Sequence, residues 1–155
     1  MATTVAEVFC DTNVLIDAVD RRRPLHPQAL HVLDVLPNRG VGLCVSGQVL
    51  RELLVVSTRP RAANGLGLGR RQALDNARAI AGRCRVLDET RAVATRLLAL
   101  VEAAGCSGKQ VHDANIVATM LEHGVTALVT DNPADFRRYA GIELWDLAAL
   151  PELAR

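Results

Sequence analysis

The chain has 155 residues, for which one domain spanning 1–155 is the simplest organisation, large enough to bury a core without disulfide or metal staples. Half of the residues are hydrophobic but only 3% are aromatic, so the core must be built from Val, Leu, Ile and Ala, and the scarcity of aromatics argues against a base-stacking platform for single strands. The formal net charge of +1 selects no partner; almost all the positive charge is arginine, which binds phosphate bidentately, and Lys109 is the one lysine.

The first apolar run, Val8-Phe9-Cys10, leads into Asp11-Thr12-Asn13 and then into Val14 to Val19. This order predicts a buried strand that stops at Asp11, a turn, and a short helix ending at Asp20-Arg21-Arg22-Arg23-Pro24. A second helix is expected from about Pro27, carrying Leu30, Leu33 and Val35 until Pro37-Asn38-Arg39-Gly40 breaks it. Val41 to Val45 reads as a second buried strand. Ser46 is placed to cap a helix running to about Thr58, on which Leu50, Leu53, Leu54 and Ser57 share one face and Val49, Glu52 and Val56 the next row.

Arg59 to Gly69, rich in Arg, Gly, Asn and Pro, is expected to be a flexible surface loop. A helix over 70–81 and a short strand over 84–87 follow, then a helix over 89–104 with Val93, Leu97, Leu100 and Val101 on one face. The last long helix is expected over 111–123, closed by Gly124 as a C′ residue, with Asp113 in its first turn. Val125 to Thr130 reads as a strand ending at Asp131, Asn132-Pro133 starts a short helix, and Ile142 to Trp145 is a final strand. Helices alternating with buried strands imply an α/β fold with a mainly parallel sheet and right-handed crossovers.

The cysteines, Cys10, Cys44, Cys84 and Cys106, are far apart and follow no metal-site spacing, which is the usage expected of reduced thiols in a cytoplasmic protein. Glu7 and Asp11 interrupt the first apolar run, so no signal-peptide pattern is seen, and no segment is long and apolar enough to span a membrane.

Four acids stand where chemistry is possible. Asp11 and Asp131 end strands, and Glu52 and Asp113 lie on helices beside apolar stripes. In an open parallel sheet the crevice beyond the strands' carboxyl ends is where ligands bind. Carboxylates crowded there repel one another, and a hard divalent cation, Mg²⁺ or Mn²⁺, relieves the repulsion and supports phosphodiester hydrolysis. Each acid also has a plainer reading: Asp11 as an N-cap, Asp113 as a partner of the helix dipole, Asp131 as part of a turn, Glu52 as a solvated helix residue.

Asp11-Thr12-Asn13, then Glu52 in a leucine-rich helix, then His112-Asp113-Ala114-Asn115-Ile116-Val117-Ala118, then Leu128-Val129-Thr130-Asp131-Asn132-Pro133-Ala134-Asp135-Phe136, together resemble the PIN-domain family. More narrowly, the pattern resembles the VapC toxins of VapBC toxin-antitoxin modules, over essentially the whole chain. The resemblance implies a three-layer α/β/α fold and a Mg²⁺- or Mn²⁺-dependent endoribonuclease. By position, Asp11 and Asp113 would be the principal metal ligands, Asp131 a further ligand or second-metal anchor, and Glu52 an acid acting on the metal-bound water. Asn13 and Thr130 would hold these carboxylates by hydrogen bonds. Asp135 reads as a surface or turn residue, and His112 as peripheral.

The resemblance further implies a small VapB-like antitoxin whose C-terminal segment lies in a groove of the toxin, an RNA substrate and a homodimer. Which arginines would touch RNA stays open among Arg21 to Arg23, Arg59 and Arg61, Arg70 and Arg71, and Arg137 and Arg138. Two other functions remain from the residues themselves: a metal-dependent phosphatase or phosphoryl-transfer domain, and a non-catalytic PIN-like binding module. The first lacks a second aspartate two residues after Asp11 and a suitably placed lysine; the second is weakened by the presence of all four acids.

Overall fold

Val8, Phe9 and Cys10 are fully enclosed in strand β1 (Glu7–Cys10), as an apolar run without polar alternation requires when both faces of a sheet are covered. The computed structural model describes residues 6–152. Strands β2 (Gly42–Ser46), β3 (Arg85–Leu87), β4 (Ala127–Thr130) and β5 (Glu143–Asp146) complete a sheet of order β3-β2-β1-β4-β5 in which every pairing is parallel. Phe9 stands opposite Cys44 on one side and Leu128 on the other, so β1 is the central strand.

The helices are α1 (Thr12–Val19), α2 (His26–Leu30), α3 (Gly47–Thr58), α4 (Arg70–Arg83), α5 (Arg91–Ala104) and α6 (Gln110–Glu122). Right-handed crossovers put α1 to α4 on one face of the sheet and α5 with α6 on the other, and packing follows that division: α1 lies on α2 and α3, α3 on α4, and α5 on α6. The result is the expected three-layer α/β/α arrangement. From β1 the chain moves outward through β2 to β3, then returns to the far side of β1 through β4. The topological switch point, where such folds bind ligands, therefore lies beyond the ends of β1 and β4.

Several local expectations change. On α3 the enclosed residues are Val49, Leu53 and Ser57, together with Gln48, whereas Leu50 and Leu54 are only half-buried. With Val55 and with Leu74 of α4, Leu50 and Leu54 instead line an open apolar groove of about 540 Å³. Ser46 occupies the N-cap position of α3, yet its buried hydroxyl makes no hydrogen bond.

The segment between α3 and α4 is not a loose loop. Leu66 N–H donates to the Val56 carbonyl at 2.9 Å and Leu68 N–H to that of Ser57 at 2.8 Å, so the segment satisfies carbonyls that the end of α3 would otherwise leave open. Leu66 is buried, and Gly65 sits so close to the Arg59 carbonyl that a Cβ there would lie 2.0 Å from its oxygen.

Candidate active site

Asp11 leaves β1 with its N–H still donating to the Val129 carbonyl of β4 at 3.1 Å, and its extended backbone makes it the N-cap of α1. Its Oδ1 accepts the Thr12 N–H at 2.8 Å and its Oδ2 the Thr130 hydroxyl at 2.8 Å. The capping and functional readings of Asp11 are thus compatible, since one carboxylate caps the helix, is clamped across two strands, and still faces the switch point. Burial, reinforced by the nearby charges of Asp113 and Asp131 and opposed by the two hydrogen bonds, pushes its carboxyl up to about 7.

Glu52 comes from the middle of α3. Its Oε2 accepts the hydroxyl of Thr12 and its Oε1 accepts Gln48 Nε2 at 2.9 Å, so α1 and α3 are joined beside Asp11. Gln48 is 1% exposed and also donates to the His112 carbonyl at 3.0 Å, while its Oε1 accepts Asn115 Nδ2 at 2.7 Å. Asn115 in turn reaches Glu89 between β3 and α5. Sequence reasoning gave Gln48 and Glu89 no role and quoted Asn115 only within a motif. A readable signal existed in the Gln48–Glu52 spacing, which puts the two side chains one turn apart on the same face.

Asp113 reaches the same edge from the first turn of α6. Burial first, then repulsion by Asp135 and Glu52, against the attraction of Arg138, moves its carboxyl up to about 6. Asp11, Glu52, Asp113 and Asp135 line one cleft of about 370 Å³, with Thr12, Asn13, Arg51, Arg59 and Asn132. Ile16, Val55, Val56 and Phe136 supply its apolar wall. Asp135, expected as a surface or turn residue, is exposed on the rim, where Asn132 Nδ2 donates to its Oδ2 at 2.7 Å.

Asp131 does not line this cleft. The expectation placed it with the other acids; its charge acts on Asp11, and Asn13, which lines the cleft, lowers its carboxyl pKa, so it stands beside the cleft. Asp131 looks toward Asp17 and Arg23: burial and then the charge of Asp17 raise its carboxyl, while Asn13 and Arg23 lower it. Its Oδ1 is buried without a hydrogen-bond partner. Asn13 therefore serves Asp131, and the residue that holds Asp11 is Thr130.

Three of the arginines considered for nucleic acid have acid partners, and Arg71 is one, with Asp75 on its own helix. Arg22 pairs with Asp20 at 2.9 Å, and Arg23 pairs with Asp17, which is buried. The four cysteines are free; burial pushes the Cys44 thiol up to about 12 and that of Cys84 to about 11, as suits inert core thiols.

Among the described residues, no three His, Cys, Asp or Glu side chains are gathered tightly enough to form a ready metal-ligand set. The donor chemistry nevertheless fits a hard divalent cation. The cleft offers carboxylate oxygens with no thiol or imidazole, and the two acids pushed up by burial and mutual repulsion are in the electrostatic condition that a cation relieves.

Comparison with known proteins places this geometry. No curated protein matches the chain. Among solved structures, VapBC2 of Rickettsia felis bound to a promoter DNA fragment is similar with a TM-score of 0.66 and 19% identity, covering 90% of this chain and 99% of that one. DNA-bound VapBC of Salmonella typhimurium gives 0.65 and 21%, covering 91% and 98%. VapC20 of Mycobacterium tuberculosis, described as a sarcin-ricin loop cleaving toxin, gives 0.61 and 20%, covering 78% and 86%. At these identities the likeness speaks for the fold. The model of the PIN domain, however, matches the sequence itself over residues 8–142, from the strand that presents Asp11 to the start of the last strand, and on that match the chain belongs to the PIN-domain family.

Proposed function

We propose that the protein is a Mg²⁺- or Mn²⁺-dependent endoribonuclease of the VapC toxin kind, acting on cellular RNA in the cytoplasm and held in check by a VapB-like antitoxin. The observation that carries this reading is the meeting of Asp11, Glu52 and Asp113 at the switch point of a PIN fold, two of them with raised pKa values. Asp11 and Asp113 would hold the metal, and Asp135 is better placed than Asp131 to extend the set. When bound, the cation would supply Lewis-acid stabilisation of the phosphate charge and a more acidic water.

The chain's own residues do the rest. Thr130 and the Thr12 N–H fix both oxygens of Asp11, and Thr12 and Gln48 fix both oxygens of Glu52. Glu52 so held is suited to take a proton from the attacking water, because its rotamer is settled before substrate arrives. Asp131 would act indirectly, through the strand tip it shares with Thr130.

For the antitoxin, the apolar groove between α3 and α4 is the natural seat. It runs into the acid cleft through Arg51 and Val55, which line both. The solved neighbours that contain antitoxin support a partner of this kind. For a homodimer we favour the outer face of α5, where Ala92, Thr95 and Ala99 are exposed and Leu98 is 72% exposed. No helix among the described residues is long and apolar enough to cross a membrane.

The test is cleavage of total cellular RNA by the purified chain. Cleavage should need Mg²⁺ or Mn²⁺, stop on chelation, and be lost in Asp11→Asn and Asp113→Asn proteins that keep the wild-type circular dichroism spectrum. Metal-dependent cleavage retained by Asp11→Asn would remove that residue from the mechanism. Turnover of small phosphate esters with no action on RNA would select a phosphatase instead.

A further inference from the structure

A cleft bordered by four carboxylates repels the polyanion that the ribonuclease reading brings to it, so some group must hold the RNA there against that repulsion. Arg22, Arg23, Arg71, Arg78, Arg83, Arg85 and Arg96 pair with acids, and no other unpaired arginine lines the acid cleft as Arg51 and Arg59 do among the described residues. Arg51 and Arg59 are different. Both are exposed, neither makes an ion pair among the described residues, and both line the acid cleft. Arg59 was one candidate of several in the sequence, and Arg51 was not singled out at all.

Their placement is specific. Arg51 adjoins Glu52 on α3, and Arg59 is the residue that ends the helix, with Val55 midway between them on the same wall. Eight residues of helix separate them by about 12 Å along the axis, enough for each to reach its own phosphate on an extended strand. The opposite rim is acidic and amide in character, from Asp135 and Asn132. The cations that line the cleft therefore both stand on the α3 side, beside Glu52, and a phosphodiester chain entering it is drawn to them. Guanidinium groups suit this role because they bind phosphate bidentately.

We propose that Arg51 and Arg59 form a two-point clamp that holds the RNA backbone along α3 and so sets how the strand crosses the carboxylates. The clamp rests on the ribonuclease reading above. It predicts a substrate that is extended and locally single-stranded over the cleft, gripped by its backbone and not by base stacking.

The test measures binding of a fluorescein-labelled single-stranded oligoribonucleotide by anisotropy in Mg²⁺, with Asp113→Asn present throughout to silence cleavage. Arg51→Ala and Arg59→Ala should each weaken binding about tenfold and each lower the slope of log affinity against log salt by about 0.7. Arg51→Lys and Arg59→Lys should restore the slope while recovering only part of the affinity. Arg78→Ala, on α4 and paired with Asp75, is the control and should change nothing. With Asp113 intact, the two alanine variants should raise KM and also lower kcat, as the strand loses its fixed path over the carboxylates.

Alanine variants that bind with wild-type affinity and salt slope, beside a wild type that cleaves RNA, would overturn the clamp alone. A wild type that fails to cleave RNA in either metal would overturn the ribonuclease reading and the clamp with it. Equal losses in the Arg78→Ala control would show a general charge effect and would also overturn the clamp.

Discussion

Replacing Asp11 by Asn should stabilise the metal-free protein at alkaline pH while destroying its activity. Burial moves the folded-state pKa from the ordinary 3.8 to about 7. A raised carboxyl pKa means that stability is fully present below pH 4 and is lost as pH climbs through the interval to about 7, because the unfolded chain ionises first. Each pH unit of that interval costs about 1.4 kcal/mol, giving a ceiling of about 4 kcal/mol for the wild type at pH 8. Asn is spared this loss. Its Oδ1 can keep the Thr12 N–H and its Nδ2 can donate to Thr130, and the pKa of about 7 already includes what those two bonds do for the ionised carboxylate. The gain at pH 8 should therefore approach the ceiling of about 4 kcal/mol, or roughly 8–16 °C in Tm for a domain of this size. Thermal melts in EDTA from pH 4 to pH 8 read this directly: the two proteins should nearly coincide at the acid end and diverge toward pH 7. Adding Mn²⁺ should raise the wild-type Tm and leave Asp11→Asn nearly unmoved. An Asp11→Asn protein that melts no higher than wild type at pH 8 in EDTA would refute the electrostatic argument.

Other substitutions test the surroundings of the site. Arg23→Ala leaves the buried Asp17 without its partner and should cost about 3–5 kcal/mol by urea denaturation, with Asp17→Asn in the same chain recovering part of the loss. Gly65→Ala drives a Cβ into the Arg59 carbonyl; it should lower stability by about 2 kcal/mol or more and speed proteolysis of the segment between α3 and α4. Asp135→Asn should reduce Mn²⁺ affinity in calorimetry more than Asp131→Asn does, since Asp135 lines the cleft and Asp131 faces Asp17; the reverse order would restore Asp131 to the ligand set.

What the sequence made legible follows from what periodicity can encode. The run Val8 to Cys10 has no polar alternation, so both its burial and the placement of Asp11 at its tip could be read directly. Asp113 was readable from its first-turn position and Glu52 from its place beside an apolar stripe. Asp131 and Asp135 were not distinguishable in that way. What separates them is tertiary: Thr130 bonds Asp11 and the charge of Asp17 acts on Asp131, contacts between residues far apart in the chain. Likewise α3 carries two adjacent apolar rows, and only tertiary packing decides that Val49 and Leu53 face the sheet while Leu50 and Leu54 open onto a groove. The segment after α3 looked loose because its ties are main-chain hydrogen bonds, which leave almost no trace in side-chain identity.

The sheet order β3-β2-β1-β4-β5 has a consequence for the timing of synthesis. Asp11 and Glu52 are contributed by the segment made first, while Asp113, Thr130 and Asp135 come from the segment made last, and β4 must insert beside β1 before Asp11 gains its Thr130 hydrogen bond. A nascent chain halted anywhere before residue 113 has only half of the acids and lacks β4, whose Thr130 holds Asp11. The acid cleft is thus completed only after the later segment has been made, and its two halves come together when β4 pairs with β1 at the switch point.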